Sequence, residues 1–293
     1  MNTTTNFLKR HSLSIGILLM FAFTWPIDLA YAGKLPFEVP FIVYLFLGWG
    51  FIAASVLMTG LTLGKDAVIA LLKRYLYWRV GWKWFLVAFL LQPLLMVLGV
   101  YGNVLVSGVA PDYSEIIAYQ IFGESATLWL FIVPFFLIDF IANGEEIGWR
   151  GYALPRLQAR HSALIATLTL GLIWGVWHLP KFLSHWNAVS FAWFMAHTMA
   201  VAFLYTWIYN GTRGSLLLVT ILHASSNTAG VFLPIANTVS SQNMGAYIGY
   251  VLFEWLAALV IVLATGAANL SRTEEKQIQE EPDGQAEVIL QQA

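Results

Sequence analysis

Long apolar runs separated by short polar loops dominate this chain. Eight stretches are apolar over enough residues to be read as membrane-spanning helices: 12–32, 39–63, 83–108, 126–143, 162–180, 188–209, 214–234 and 246–269. A spanning helix needs about 20 mostly apolar residues. In lipid the backbone must satisfy its own hydrogen bonds, so such runs predict helices. After residue 270 the pattern changes abruptly to SRTEEKQIQEEPDGQAEVILQQA, which is acidic and Gln-rich. The expected fold is all-α: a polytopic membrane helix bundle over residues 1–270, with about eight transmembrane helices. A polar tail at 271–293 is expected to be disordered and cytoplasmic.

Composition agrees with the pattern. Of 293 residues 59% are hydrophobic and 11% charged, against about 25% charged in an average soluble domain. Mean hydropathy is +0.70. The net charge is −1 and no basic stripe is present, so nucleic acid is not an expected partner. The chain has no cysteine, which excludes disulfides, thiolate metal sites and a cysteine nucleophile.

With eight helices and the N-terminus inside, every Lys and Arg except Lys34 and Lys181 falls in an inner loop or tail, thirteen of fifteen. This bias predicts cytoplasmic termini in an inner (plasma) membrane. Residues 1–32 also resemble a secretory signal, with Lys9-Arg10, an apolar run and Ala30-Tyr31-Ala32. Trp25-Pro26 and Asp28 crowd that cleavage site, and an uncleaved first helix is the reading preferred. Cleavage would leave seven helices with the loops facing as before.

One interruption is sharper than the others. WLFIVPFFLIDFIA (129–142) carries a single charge, and NGEEIGWRGY (143–152) then brings Glu145, Glu146 and Arg150 within six residues. Ionisable groups inside a membrane cost about 2.5–3.5 kcal/mol each on the insertion scale, so each needs a reason. As helix, Glu146 and Arg150 are spaced i, i+4 in the favourable order for an ion pair. Glu145 points about 100° away and has no partner in sequence. The alternative is an interfacial charge cluster ending a helix, since Gly144, Gly148 and Gly151 permit a turn.

His223 and Asn227, in LLHASSNTAG, share a helical face among small residues. They supply either chemistry or a polar pair holding helices together. His178, in IWGVWHLPKF, is either functional or a histidine at the outer interface among tryptophans. Together these residues offer a carboxylate, two imidazoles, a carboxamide and a guanidinium. Such a set can activate a water and stabilise an oxyanion. Asp139 and Asn143 are also i, i+4 and can line the same cavity. His197 and Glu254, without evident partners, read as contacts between helices, and Asp28 as interfacial. Residues 65–83 hold an amphipathic basic piece expected to lie on anionic lipid.

The three motifs, in this order, resemble those of the CPBP family, the CAAX proteases and bacteriocin-processing enzymes also called Abi. They are Glu145-Glu146-Ile-Gly-Trp-Arg150, then Trp174-Gly-Val-Trp-His178, then His223-Ala-Ser-Ser-Asn227. Trp174 stands where the family more often has Phe. The resemblance covers about residues 125–232, the expected catalytic core, and implies an intramembrane endopeptidase. Its substrates would be membrane-bound or lipidated peptides, prenylated CAAX-type ones among them, and its other partners membrane lipids. By the same resemblance Glu145 activates the water, helped by His178. His223 and Asn227 stabilise the oxyanion, and Glu146 and Arg150 support the site. No cofactor is required in the reading preferred here. The alternative is zinc held by Glu145, His178 and His223, a His₂Glu set.

Two other functions compete: a transporter whose buried Glu and His carry protons, and a non-catalytic immunity or scaffold protein of the same fold. No internal repeat and no paired broken helices favour the transporter. The helix limits also raise a difficulty. Straight helices would put Glu145 near the inner end of the fourth segment and His178 near the outer end of the fifth. The 16 residues from 162 to His178 cover about 24 Å. Either these segment limits are wrong or the helices are broken, tilted or re-entrant, with the glycines at 144, 148 and 151, Pro155 and Pro180 as candidate breakpoints.

Overall fold

The computed structural model describes residues 3–123, 127–183, 189–235, 244–272, 279–280 and 286–287. It is a bundle of α-helices in chain order. They are α1 (Thr3–Arg10), α2 (Ser12–Tyr31), α3 (Phe41–Leu45), α4 (Trp49–Leu63), α5 (Lys65–Lys73), α6 (Trp82–Ser107) and α7 (Ile117–Phe122). The second half holds α8 (Ile132–Ala142), α9 (Leu154–Gln158), α10 (Ala163–Trp177), α11 (Leu179–Phe182), α12 (Phe191–Gly211), α13 (Leu216–Phe232) and α14 (Met244–Thr265). Most of the tail read as disordered lies outside the described residues. Its described part is a two-residue antiparallel pair, Gln279–Glu280 with Ala286–Glu287.

Each of the eight apolar stretches contains an apolar helix, but length alone does not make eight crossings. Among the described residues four helices, α2, α6, α12 and α14, are long and apolar enough to cross a membrane, and a bent pair, Leu128–Ala142 with Ile147–Gln158, can make a fifth. The apolar helices α4, α10 and α13 are shorter, at 15, 15 and 17 residues. Serine marks the starts of three helices. Ser162, Ser190 and Ser215 accept from backbone N–H groups of Ile165, Trp193 and Leu218, at 3.3, 3.4 and 3.3 Å. These satisfy donors that the first turn leaves open.

The fourth stretch departs most from expectation. It does not end at 143. The backbone leaves the helix at Asn143, with φ −77° and ψ 100°. Asn143 Oδ1 then accepts from Glu145 N–H at 3.0 Å and starts the chain turning again. Residues Ile147–Ala153 form a π-helical turn that runs into α9. The two halves meet at a bend of 43°. Single π turns in α-helices are rare and often sit at functional sites. Pro155, inside the following turn, lacks the N–H that a tight helix would use.

The core lies where α6 packs on α13 and α14, α10 and α14 on α12, and α2 on α4. Apolar side chains face outward as well as inward. Leu105, Val106, Leu130 and Leu263 are all more than 70% exposed, a surface made for lipid. A buried apolar cluster joins the helices, and polar contacts also cross between them. Thr167 bonds Thr206 at 3.0 Å, Tyr250 Oη donates to Gln92 Oε1 at 2.6 Å, and His197 Nδ1 meets Glu254 Oε2 at 2.7 Å. His197 and Glu254, each without an evident partner in sequence, are thus partners of one another. Such contacts are worth about 0.6 kcal/mol on average in a membrane bundle.

Candidate active site

The structure brings Glu145 and His178 to one tryptophan. With the bent pair taken as one unit from Leu128 to Gln158, Glu145 sits near its middle and not at an end. From Glu145 to Gln158 is about 20 Å of helix, close to the roughly 24 Å from Ser162 to His178. Both residues are bonded to Trp174, Glu145 by its indole N–H and His178 by its carbonyl. Arg150 and Arg156, assigned from sequence to an inner loop, are instead buried within the bent pair, which leaves eleven of the thirteen Lys and Arg assigned to inner loops. A loop placement fails because the π-helical turn from Ile147 to Ala153 is buried throughout.

The two adjacent carboxylates have different surroundings. Glu146 has no exposed surface, and Arg150 Nη1 donates to both its oxygens at 3.1 Å. His223 Nδ1 meets Glu146 Oε1 at 2.8 Å. A carboxylate only accepts, so His223 carries its proton on Nδ1 at that contact. The Arg150 guanidinium also lies over the rings of Trp174, 4.7 Å from its centroid, and Tyr205, 4.4 Å. A buried arginine is costly unless it is paired, and here a carboxylate and two aromatic faces compensate it. Its Nε and Nη2 have no hydrogen-bond partner.

Glu145 is only half-buried. Its Oε2 accepts from Trp174 Nε1 at 2.9 Å and from Trp149 Nε1 at 3.4 Å. Both donors use the same oxygen, so Oε1 is left facing away from them. Trp174 is the hub of the cluster. Its ring lies 5.8 Å from the His223 ring and 5.9 Å from the His178 ring, centroid to centroid. The Trp174 carbonyl bonds His178 Nδ1 at 2.8 Å. His178 is buried between Trp177 and Phe194, with ring centroids at 4.6 and 4.8 Å. In both histidines Nδ1 is committed, which leaves Nε2 for a ligand.

Trp174, His178, His223 and Asn227 line one cavity of about 710 Å³, together with Asp139, His197 and Tyr205. Asn227 Nδ2 donates to both oxygens of Asp139, at 3.1 and 3.2 Å. The cavity reaches on to Asp28, Tyr44 and Lys181. Asp28, read as interfacial, is 2% exposed with Oδ2 unpartnered. Lys181, read as an outer-loop cation, has its ammonium 5.3 Å from the Trp177 ring centroid. Both shifts have one cause: α11 folds back after His178 and packs against α2.

The three motifs are thus brought together from the bent span, the end of α10 and the middle of α13. Among the described residues no group of three or more His, Asp or Glu side chains is placed so as to hold a metal ion. The Trp174 donor was missed in sequence. The signal was present, as an indole where the family more often has a ring without an N–H. Tyr205 gave no signal, being one aromatic among many.

Residues 124–229 match the family described as Type II CAAX prenyl endopeptidase Rce1-like. The chain is 27% identical over 187 residues to the CAAX prenyl protease 2 of Methanococcus maripaludis, covering 60% of this chain. The match spans 64% of that protein's length, a little under two thirds.

Proposed function

We propose, from the match of residues 124–229 to the Type II CAAX prenyl endopeptidase Rce1-like family, that this multi-pass membrane protein is an intramembrane endopeptidase acting on lipidated peptides. The observation that carries the reading is the gathering of Glu145, His178 and His223 around Trp174, whose ring lines the cavity together with both histidines while Glu145 holds to it from behind. A cavity of about 710 Å³ falls within the usual size of ligand sites, about 300–1,000 Å³. Its largely apolar lining suits a lipidated substrate that arrives through the membrane. Both termini are assigned to the cytoplasmic face of the inner membrane.

In this mechanism a water lies between Glu145 Oε1 and His178 Nε2. His178 donates from Nδ1 to the Trp174 carbonyl, so its Nε2 is an acceptor and holds one water proton. Glu145 removes the other as the water oxygen attacks the scissile carbonyl carbon. The oxyanion is met by Asn227 Nδ2–H and by His223. His223 donates from Nε2 only when doubly protonated, and the Glu146 carboxylate would balance that charge. As the C–N bond breaks, Glu145 returns its proton to the leaving amine. No step is routed through a metal.

The test is Glu145→Gln, assayed on a panel of prenylated C-terminal peptides in detergent. Removing a general base costs about 10²- to 10⁴-fold, so cleavage should disappear while insertion and melting temperature stay as in the parent. An active Glu145→Gln protein sinks the reading.

A further inference from the structure

The most telling group that the mechanism leaves unused is Asp139. It sits one turn before the break in the bent span, it lines the cavity, and both its oxygens accept from Asn227 Nδ2 across the gap between α8 and α13. Asn143, one turn further on, donates its backbone N–H to the Asp139 carbonyl at 2.8 Å. Asn143 Oδ1 in turn accepts the backbone N–H of Glu145. One residue therefore touches, by its carboxylate, the residue assigned to the oxyanion and, by its backbone, the residue that restarts the chain at the base.

A carboxamide can turn over, exchanging its donor and acceptor ends. Asn227 would then present Oδ1 to a developing negative charge and oppose the reaction. A carboxylate accepts only, so Asp139 holds the nitrogen end toward itself. The second N–H of Nδ2 stays available, about 120° away, on the cavity side. We infer that Asp139 is a positioning residue: it locks the Asn227 carboxamide in its donating orientation and joins α13 to the break that carries Glu145. The inference rests on the proposed proteolytic reading.

The chemistry predicts a particular order among variants. Asp139→Asn keeps an oxygen that accepts from Asn227, so its activity should stay within about threefold of the parent. Asp139→Ala removes the acceptor, and kcat should fall about 10- to 100-fold, the effect of one hydrogen bond to a charged group. KM should change little, because the orientation matters when the oxyanion forms. Because Asp139 acts through Asn227, Asp139→Ala added to Asn227→Ala should cost nothing further. The assay is cleavage of a prenylated peptide by the full-length protein in detergent.

Loss of activity in Asp139→Asn equal to that in Asp139→Ala would overturn the inference, since the charge or the proton would then be what matters. Full additivity of the two alanine variants would overturn it as well. Failure of the proteolytic reading looks different: an active Glu145→Gln protein, or a parent that cleaves none of the peptides. The contact is then read by a double-mutant cycle on melting temperature, and absence of coupling between Asp139 and Asn227 overturns the inference there.

Discussion

At the scale of single residues, two neighbouring carboxylates are set apart by what surrounds them. Spacing alone separated them: i, i+4 gave Glu146 to Arg150 and left Glu145 free, and the structure has that pair at 3.1 Å. Spacing could not reveal that Arg150 is covered by Trp174 and Tyr205, because those rings come from α10 and α12. Nor did it reveal that Trp174 donates to Glu145 at 2.9 Å. This donor is testable on its own. Trp174→Phe keeps most of the ring and removes the N–H, so kcat should fall about tenfold. Steady-state kinetics should show the loss in kcat with KM retained, and an unchanged kcat would show that the indole only fills space.

At the scale of elements, the bent span matters most. Hydropathy located an apolar run up to residue 142, but the carboxylates beyond it looked like an end. They are a break in the middle, and the helix resumes as buried structure through Leu157. A window of hydropathy cannot tell a terminus from a polar break lining a cavity. The sequence left two ways for Glu145 and His178 to meet, wrong segment limits or a broken helix, and the structure has both: the segment runs past 143 and bends at the glycine-flanked motif. Gly144 and Gly48 show why small residues are needed. A Cβ on Gly144 would lie 2.3 Å from Gly48 O, and one on Gly48 2.6 Å from Gly144 N. Backbone meets backbone here, so nothing flexible can give way. Gly144→Ala should destabilise by about 1–3 kcal/mol, as overpacking does, and lower activity by moving Glu145. A melting temperature equal to the parent's would contradict that close approach.

At the scale of the whole molecule, sequence gave the helical bundle and its greasy exterior readily, because lipid imposes both. The number of crossings was less legible, since helices of 15 to 17 residues are shorter than the roughly 20 residues a crossing needs. The assigned orientation can be measured, since the chain has no cysteine of its own. In right-side-out cells an impermeant maleimide should label Lys34→Cys directly. It should label Lys9→Cys and Lys276→Cys only after permeabilisation. Direct labelling of either terminus would reverse or break the assigned topology.

The central claim is that Glu145 does chemistry while Glu146 holds the structure. It is tested most directly by comparing Glu145→Gln with Glu146→Gln for peptide cleavage and melting temperature in one preparation. The account predicts that Glu145→Gln is inactive and as stable as the parent. It predicts that Glu146→Gln loses about 3–5 kcal/mol of stability, because Arg150 is left buried without its counter-charge. Cleavage by Glu145→Gln, or equal stability of the two variants, would contradict it.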